Sequence, residues 1–134
     1  MTETDLKHWA RVFLKCARHV HRSLGPGFDA AVYQEALCLE LENAGIDFIK
    51  DYTLPVCYKG EEVGDHVFEF AIEKRFVVII HTTGRFTSSH SGQLQNLLQF
   101  FNLQGGLLLH FSGARLRAKQ VTNEQYRLFP FSLN

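Results

Sequence analysis

Glu69 stands inside one apolar run, residues 67–72, and His81 closes the next, residues 76–81. Between the runs lies Glu73-Lys74-Arg75. Two β-branched and aromatic runs joined by a short charged turn read as a buried hairpin. Buried strands seldom carry ionisable side chains, because a charge taken out of water must be paired or bound. An acid within one strand and a donor ending its neighbour is a layout that can hold a divalent cation beside a water. With a three-residue turn, Glu69 falls opposite Ile79, and His81 lies on the same face. His90 and Gln93 open the next helix and can approach that face, and His66 lies just upstream. Glu69, His81 and His90 together would suit Zn²⁺ or Mn²⁺ better than Mg²⁺. The competing expectation is that Glu69 and His81 bond each other or nearby backbone.

Other constellations are weaker. Ser88-Ser89-His90-Ser91 sets hydroxyls beside an imidazole, but sequence neighbours rarely form a triad and no nucleophile elbow surrounds them. They read as turn and cap residues. Gly105-Gly106 reads as a tight turn, since no helix follows it to make a phosphate cradle. Arg115, Arg117 and Lys119 alternate with apolar residues, as on a half-exposed strand. With Lys15, Arg18 and Arg22 they are candidates for phosphate contact, the alternative being a solvated face that suits the end of the first helix.

Composition bounds what these residues can do. The 134 residues suffice for one domain, residues 1–134, that buries about two-thirds of its unfolded surface. Hydrophobic residues form 46% of the chain, as in globular proteins. Fourteen basic and fourteen acidic residues cancel, which argues against a strong non-specific grip on nucleic acid while leaving room for a local basic patch. Cys16, Cys38 and Cys57 are odd in number and form no C-x-x-C, so they read as reduced, buried thiols of a cytoplasmic protein. Neither a signal peptide nor a membrane-spanning run is expected.

The elements that would position the candidates follow from periodicity. Residues 4–24 form a helix with Leu6, Trp9, Ala10, Phe13, Cys16, Ala17, Val20 and Leu24 on one apolar face and Thr2 and Asp5 as a capping box. Gly25-Pro26-Gly27 ends it. Asp29 caps a second helix reaching Asn43 or Ala44, whose apolar surface comes from Val32, Ala36, Leu37, Leu39 and Leu41. Short strands are expected at 46–50 and 53–59, with Pro55 marking an edge or bulge. The hairpin, a loop at 82–91, a helix at 92–102, and strands at 107–111, 115–121 and 126–131 complete the chain. This order predicts an α/β domain, a mixed sheet flanked by helices.

Several separated blocks resemble one known family. Leu24-Gly25-Pro26-Gly27, Val32-Tyr33-Gln34-Glu35-Ala36-Leu37, Tyr58-Lys59-Gly60, Val63-Gly64, Gln93-Leu94 and Gly106-Leu107-Leu108 look like the small bacterial GxxExxY proteins of the PD-(D/E)XK, restriction-endonuclease-like superfamily. The resemblance spans roughly residues 10–120. It implies a mixed sheet with an acid on one strand and Glu-x-Lys on the next, holding Mg²⁺ and activating a water for phosphodiester cleavage. Carried over by position, the strand acid is Glu69, but Glu-x-Lys becomes Ile79-Ile80-His81. The glutamate after the corner falls on Ala30. The helical Gln-x-x-x-Tyr keeps Gln93 and has Leu97 for its tyrosine.

The resulting expectation is a nuclease fold without catalysis, kept as a binding or structural module that needs no cofactor. The apolar run 97–101 offers a surface for a homodimer. Two alternatives stand: a divalent-metal nuclease rebuilt around Glu69, His81 and His90, using Mg²⁺, Mn²⁺ or Zn²⁺, and a non-cleaving nucleic-acid binder.

Overall fold

The computed structural model describes residues 1–128. Its elements are α1 (Glu3–Leu24), α2 (Ala30–Asn43), β1 (Ile49–Tyr58), β2 (Glu61–Ile72), β3 (Phe76–His81), α3 (Ser88–Phe101), β4 (Gly105–His110) and β5 (Arg117–Thr122). The five strands lie in chain order, antiparallel except for the parallel pair β3 and β4, which α3 connects. This is the mixed, helix-flanked α/β sheet that the element order predicts.

α1 starts on the expected capping box: Thr2 Oγ1 accepts from the Asp5 N–H at 3.1 Å, and Asp5 Oδ2 accepts from the Thr2 N–H at 2.8 Å. The bond from the Thr2 N–H is the main reason the Asp5 carboxyl is held below its usual range. The helix buries Leu6, Ala10, Phe13, Ala17 and Val20 and ends at Gly25, whose φ of 71° favours glycine. Tyr33 then pins the corner: its hydroxyl donates to the Gly25 carbonyl at 2.6 Å and accepts from the Phe28 N–H at 3.3 Å.

α2 differs from expectation in the face it buries. Tyr33, Gln34, Leu37, Cys38 and Leu41 are inward, whereas Val32 and Leu39 are exposed. Tyr33, Leu37 and Leu41 recur every four residues and form one stripe. Val32 and Leu39 are seven apart and share a different one. Asp29 occupies the N-cap position without a side-chain cap bond.

The two short strands expected before the hairpin are one long edge strand, β1, with a register shift between Val56 and Cys57, just past Pro55. The turn into β2 narrows to Lys59-Gly60, both with positive φ, as a two-residue hairpin requires. The central hairpin is as read: Phe70, Ala71 and Ile72 pair with Val78, Val77 and Phe76 across the Glu73–Arg75 turn. One sheet face packs Phe70, Ile72, Phe76, Val78 and Ile80 against α1 and α2. The other packs Ala71, Val77 and Leu108 against Leu94 and Leu98 of α3.

Gly105 and Gly106 are not a turn but the buried start of β4. A Cβ on Gly106 would lie 3.0 Å from the Val77 carbonyl and 3.2 Å from Leu94, so Gly106 lets α3 sit close on the sheet, while one on Gly105 would lie 3.2 Å from Leu6 of α1. α3 begins at Ser88, one turn before Gly92, because Thr87 and His90 form a capping box. In its apolar run Leu98 is buried and Phe100 exposed. Tyr126 to Leu128 are not a strand, and the remainder of the strand expected at 126–131 lies outside the described residues. All three cysteines are free; Cys38 is buried, Cys16 half-buried, and Cys57 exposed on the edge strand rather than in the core. Burial raises the Cys16 and Cys38 thiols above their ordinary range. Among the described residues no helix is long and apolar enough to cross a membrane.

Candidate functional site

The candidates separate into three neighbourhoods. The first is a fork in the sheet. β2 and β3 pair at three positions and then part, and one register step further Glu69 stands opposite Ile79, as the turn length predicts. The backbone N–H groups of Glu69 itself and of Ile80 are near enough to its carboxyl to favour the charged form. Side-chain alternation slips here, since Phe68 and Ala71 join the core under α3 while Phe70 joins the other. Asp51, across on β1, has a φ of 54°. Gln34 of α2 ties the two acids: its Nε2 donates to Asp51 Oδ1 at 2.8 Å and to the Glu69 carbonyl at 3.0 Å. Burial raises the Glu69 carboxyl above its ordinary range, the two N–H donors oppose that, and the nearby Asp51 charge adds to the rise.

The second neighbourhood is a cluster of imidazoles. His81 and His110 end the parallel strands β3 and β4 side by side, and His90 comes from the first turn of α3. Ring centroids lie 4.6 Å apart for His81 and His90, 6.0 Å for His90 and His110, and 6.2 Å for His81 and His110. Burial lowers the His81 pKa, and the other two imidazoles lower it further. His90 Nδ1 accepts from the Thr87 N–H at 3.3 Å, which leaves its proton on Nε2 when neutral. His110 Nε2 lies 2.9 Å from the Gly84 carbonyl and 2.7 Å from Ser112 Oγ, while its buried Nδ1 has no partner.

The proposed metal set therefore divides. His81 and His90 meet ring to ring at 4.6 Å, with His110 as the third member of their cluster, while Gln34 ties Glu69 to Asp51. His66 packs its ring on Phe68 and Phe101 instead of approaching them. Gln93 is exposed on α3. In the fork Ile79 offers no oxygen where the resemblance expects a carboxylate, so Glu69 and Asp51 are its two acids. Among the described residues no three His, Cys, Asp or Glu side chains are placed to hold a metal ion.

The third neighbourhood is basic. Arg18, His21 and Arg22 from the end of α1 meet Arg115 and Leu116 of the β4–β5 loop around a cavity of about 540 Å³. Beside it, sharing Ala114 and Arg115, a second cavity of about 580 Å³ carries Arg85, Arg117, His110 and Ser112. No Asp or Glu lines either cavity. Among the described residues the ion pairs are His19–Glu40 and Lys50–Glu35, so neither takes an arginine of this groove. The groove has a rigid frame: His21 Nε2 bonds the Gly113 carbonyl at 2.9 Å, the Phe111 N–H donates to the His81 carbonyl at 2.9 Å, and Phe111 stacks on Tyr33 at 4.2 Å. Of the basic residues singled out in the sequence, Arg18, Arg22, Arg115 and Arg117 join it. Lys15 and Lys119 are exposed outside its lining.

Gln34, Asp51, Arg85 and His110 are the site residues the sequence did not single out. His110 had a signal, since it closes an apolar run as His81 does. Arg85, a lone cation in a polar loop, had none.

A sheet with one parallel pair, a forked central hairpin and helices on both faces is the architecture of restriction-endonuclease-like proteins. The family model of the PD-(D/E)XK nuclease superfamily matches residues 7–122, and the chain belongs to that superfamily. Among solved structures it is similar to the crystal structure of SSO0001, with a TM-score of 0.52 and 18% identity over 69% of this chain. The match covers 49% of that structure, so this chain spans about half of its length. No curated protein sequence matches.

Proposed function

We propose that this protein holds the phosphate backbone of a nucleic acid without metal-dependent cleavage, and that it belongs to the GxxExxY branch of its superfamily. The observation that carries the reading is the groove, where Arg18, Arg22, Arg85, Arg115 and Arg117 line two adjoining cavities that contain no carboxylate. Guanidinium groups match phosphate oxygens in pairs and stay charged at every working pH. A net charge of zero is compatible with this, because the acids lie outside the groove lining, most of them at the start of α1, on α2 and along the β1–β2 and β2–β3 hairpins. The loss of an acid at Ile79 and a lysine at His81 supports binding without hydrolysis.

Fluorescence anisotropy with labelled DNA and RNA across a salt series tests this. Affinity is expected to fall linearly on a log–log plot, with a slope of about −0.9 per phosphate contact on duplex DNA. Replacing Arg18, Arg22 and Arg115 by Gln should flatten that slope. Salt-insensitive or absent binding would overturn the proposal. Cleavage in Mn²⁺ or Mg²⁺ that Glu69→Gln abolishes would restore the nuclease alternative.

A further inference from the structure

The Arg85 end of the groove is built differently from the Arg18 end. Three guanidiniums reach one concavity from three segments: Arg85 from the loop before α3, Arg115 from the loop before β5, and Arg117 from the first position of β5. Arg117 stands directly opposite His110 in the ladder. Beneath them the two loops are stitched together, since the Gly84 carbonyl lies within 2.9 Å of His110 Nε2 and accepts from Ser112 Oγ at 3.0 Å. The stitch bounds this end of the groove. Cations gathered without a carboxylate repel one another, and an anion among them removes that cost.

The number of donors indicates which anion. An internal phosphodiester has one charge and two unesterified oxygens. A terminal phosphomonoester has three such oxygens and close to two charges. Three arginines around a bounded concavity match the second. The neighbouring cavity shares Ala114 and Arg115 and carries Arg18 and Arg22, so it offers further guanidiniums to the strand that follows.

We propose that Arg85, Arg115 and Arg117 form a subsite for the terminal phosphate of a nucleic-acid strand, with the adjoining diester over Arg18 and Arg22. The inference rests on reading the groove as a nucleic-acid interface. It is tested by anisotropy with twelve-nucleotide single strands of one sequence carrying a 5′-phosphate, a 3′-phosphate or two hydroxyl ends, with EDTA present. One phosphorylated form is expected to bind at least tenfold tighter than the hydroxyl-ended strand. Arg85→Gln, a change in an exposed loop, should erase that preference by weakening the phosphorylated strand at least tenfold more than the hydroxyl-ended one. Equal affinity for all three ends, or a preference that survives in Arg85→Gln and Arg117→Gln, overturns the subsite alone. Failure of every strand to bind overturns the groove reading with it.

Discussion

Tyr33 and Gln34 are neighbours on α2, yet each supports a different part of the molecule. Tyr33 holds the frame of the basic groove, bonding the Gly25 carbonyl and stacking on Phe111. Gln34 holds the fork, bridging Asp51 and the Glu69 backbone. The groove frame is apolar and fully buried at Tyr33 and Phe111, with its charges turned outward. The fork holds Glu69 half-buried beside the exposed Asp51, and Gln34 donates to the Asp51 carboxylate and the Glu69 carbonyl. One region has charge to offer a ligand, and the other has used its charge on itself.

The largest effect should come from breaking the groove's frame. Tyr33→Ala removes a fully buried ring from the contact between the corner and Phe111, and should cost about 3–5 kcal/mol in urea unfolding. Tyr33→Phe keeps the ring and should cost about 1 kcal/mol for the lost hydrogen bond. If Tyr33→Ala is as stable as the parent, the frame is carried by other contacts.

Gln34→Ala comes next. It removes the donor shared by Asp51 Oδ1, on an exposed residue, and the half-buried Glu69 carbonyl, and should cost about 1 kcal/mol. Oligonucleotide affinity should be unchanged, because Gln34 lines neither cavity of the groove. A parallel loss of binding would mean that fork and groove work as one site and would dissolve the contrast.

The fold was far more legible in the sequence than the site was. Helix and strand periods, the Gly25-Pro26-Gly27 corner and the charged turn at Glu73–Arg75 are local signals, and the hairpin register follows from the turn length alone. Face assignment on α2 failed because apolar residues occupy two stripes, and only the sheet decides which stripe is buried. The site failed differently. Asp51 looked like a break between two strands, whereas it is an irregular position within one strand, facing Glu69. Arg18 and Arg115 lie nearly a hundred positions apart in the chain, and only the docking of α1 on the β4–β5 loop joins them.

The smallest effects lie in pH, where the fork and the imidazole cluster should pull in opposite directions. The folded Glu69 carboxyl titrates above its ordinary value of about 4.3. Between that value and its raised one the folded state binds more protons, so its contribution to stability falls as pH rises. His81 titrates below its ordinary value of about 6.5, so the unfolded state binds more protons in its window. Its contribution is fully present above that value and is lost as pH falls towards the lowered one. In the parent protein the two slopes offset each other wherever the windows overlap. Urea unfolding at half-unit steps from pH 4 to 8 should separate them. Glu69→Gln, whose carboxamide oxygen can still accept from the Ile80 N–H, should gain stability over the parent as pH rises. His81→Asn should gain on the parent as pH falls below about 6.5. If both variants run parallel to the parent at every pH, neither group is as confined in the fold as its surroundings imply, and the contrast between an inward fork and an outward groove rests on the arginines alone.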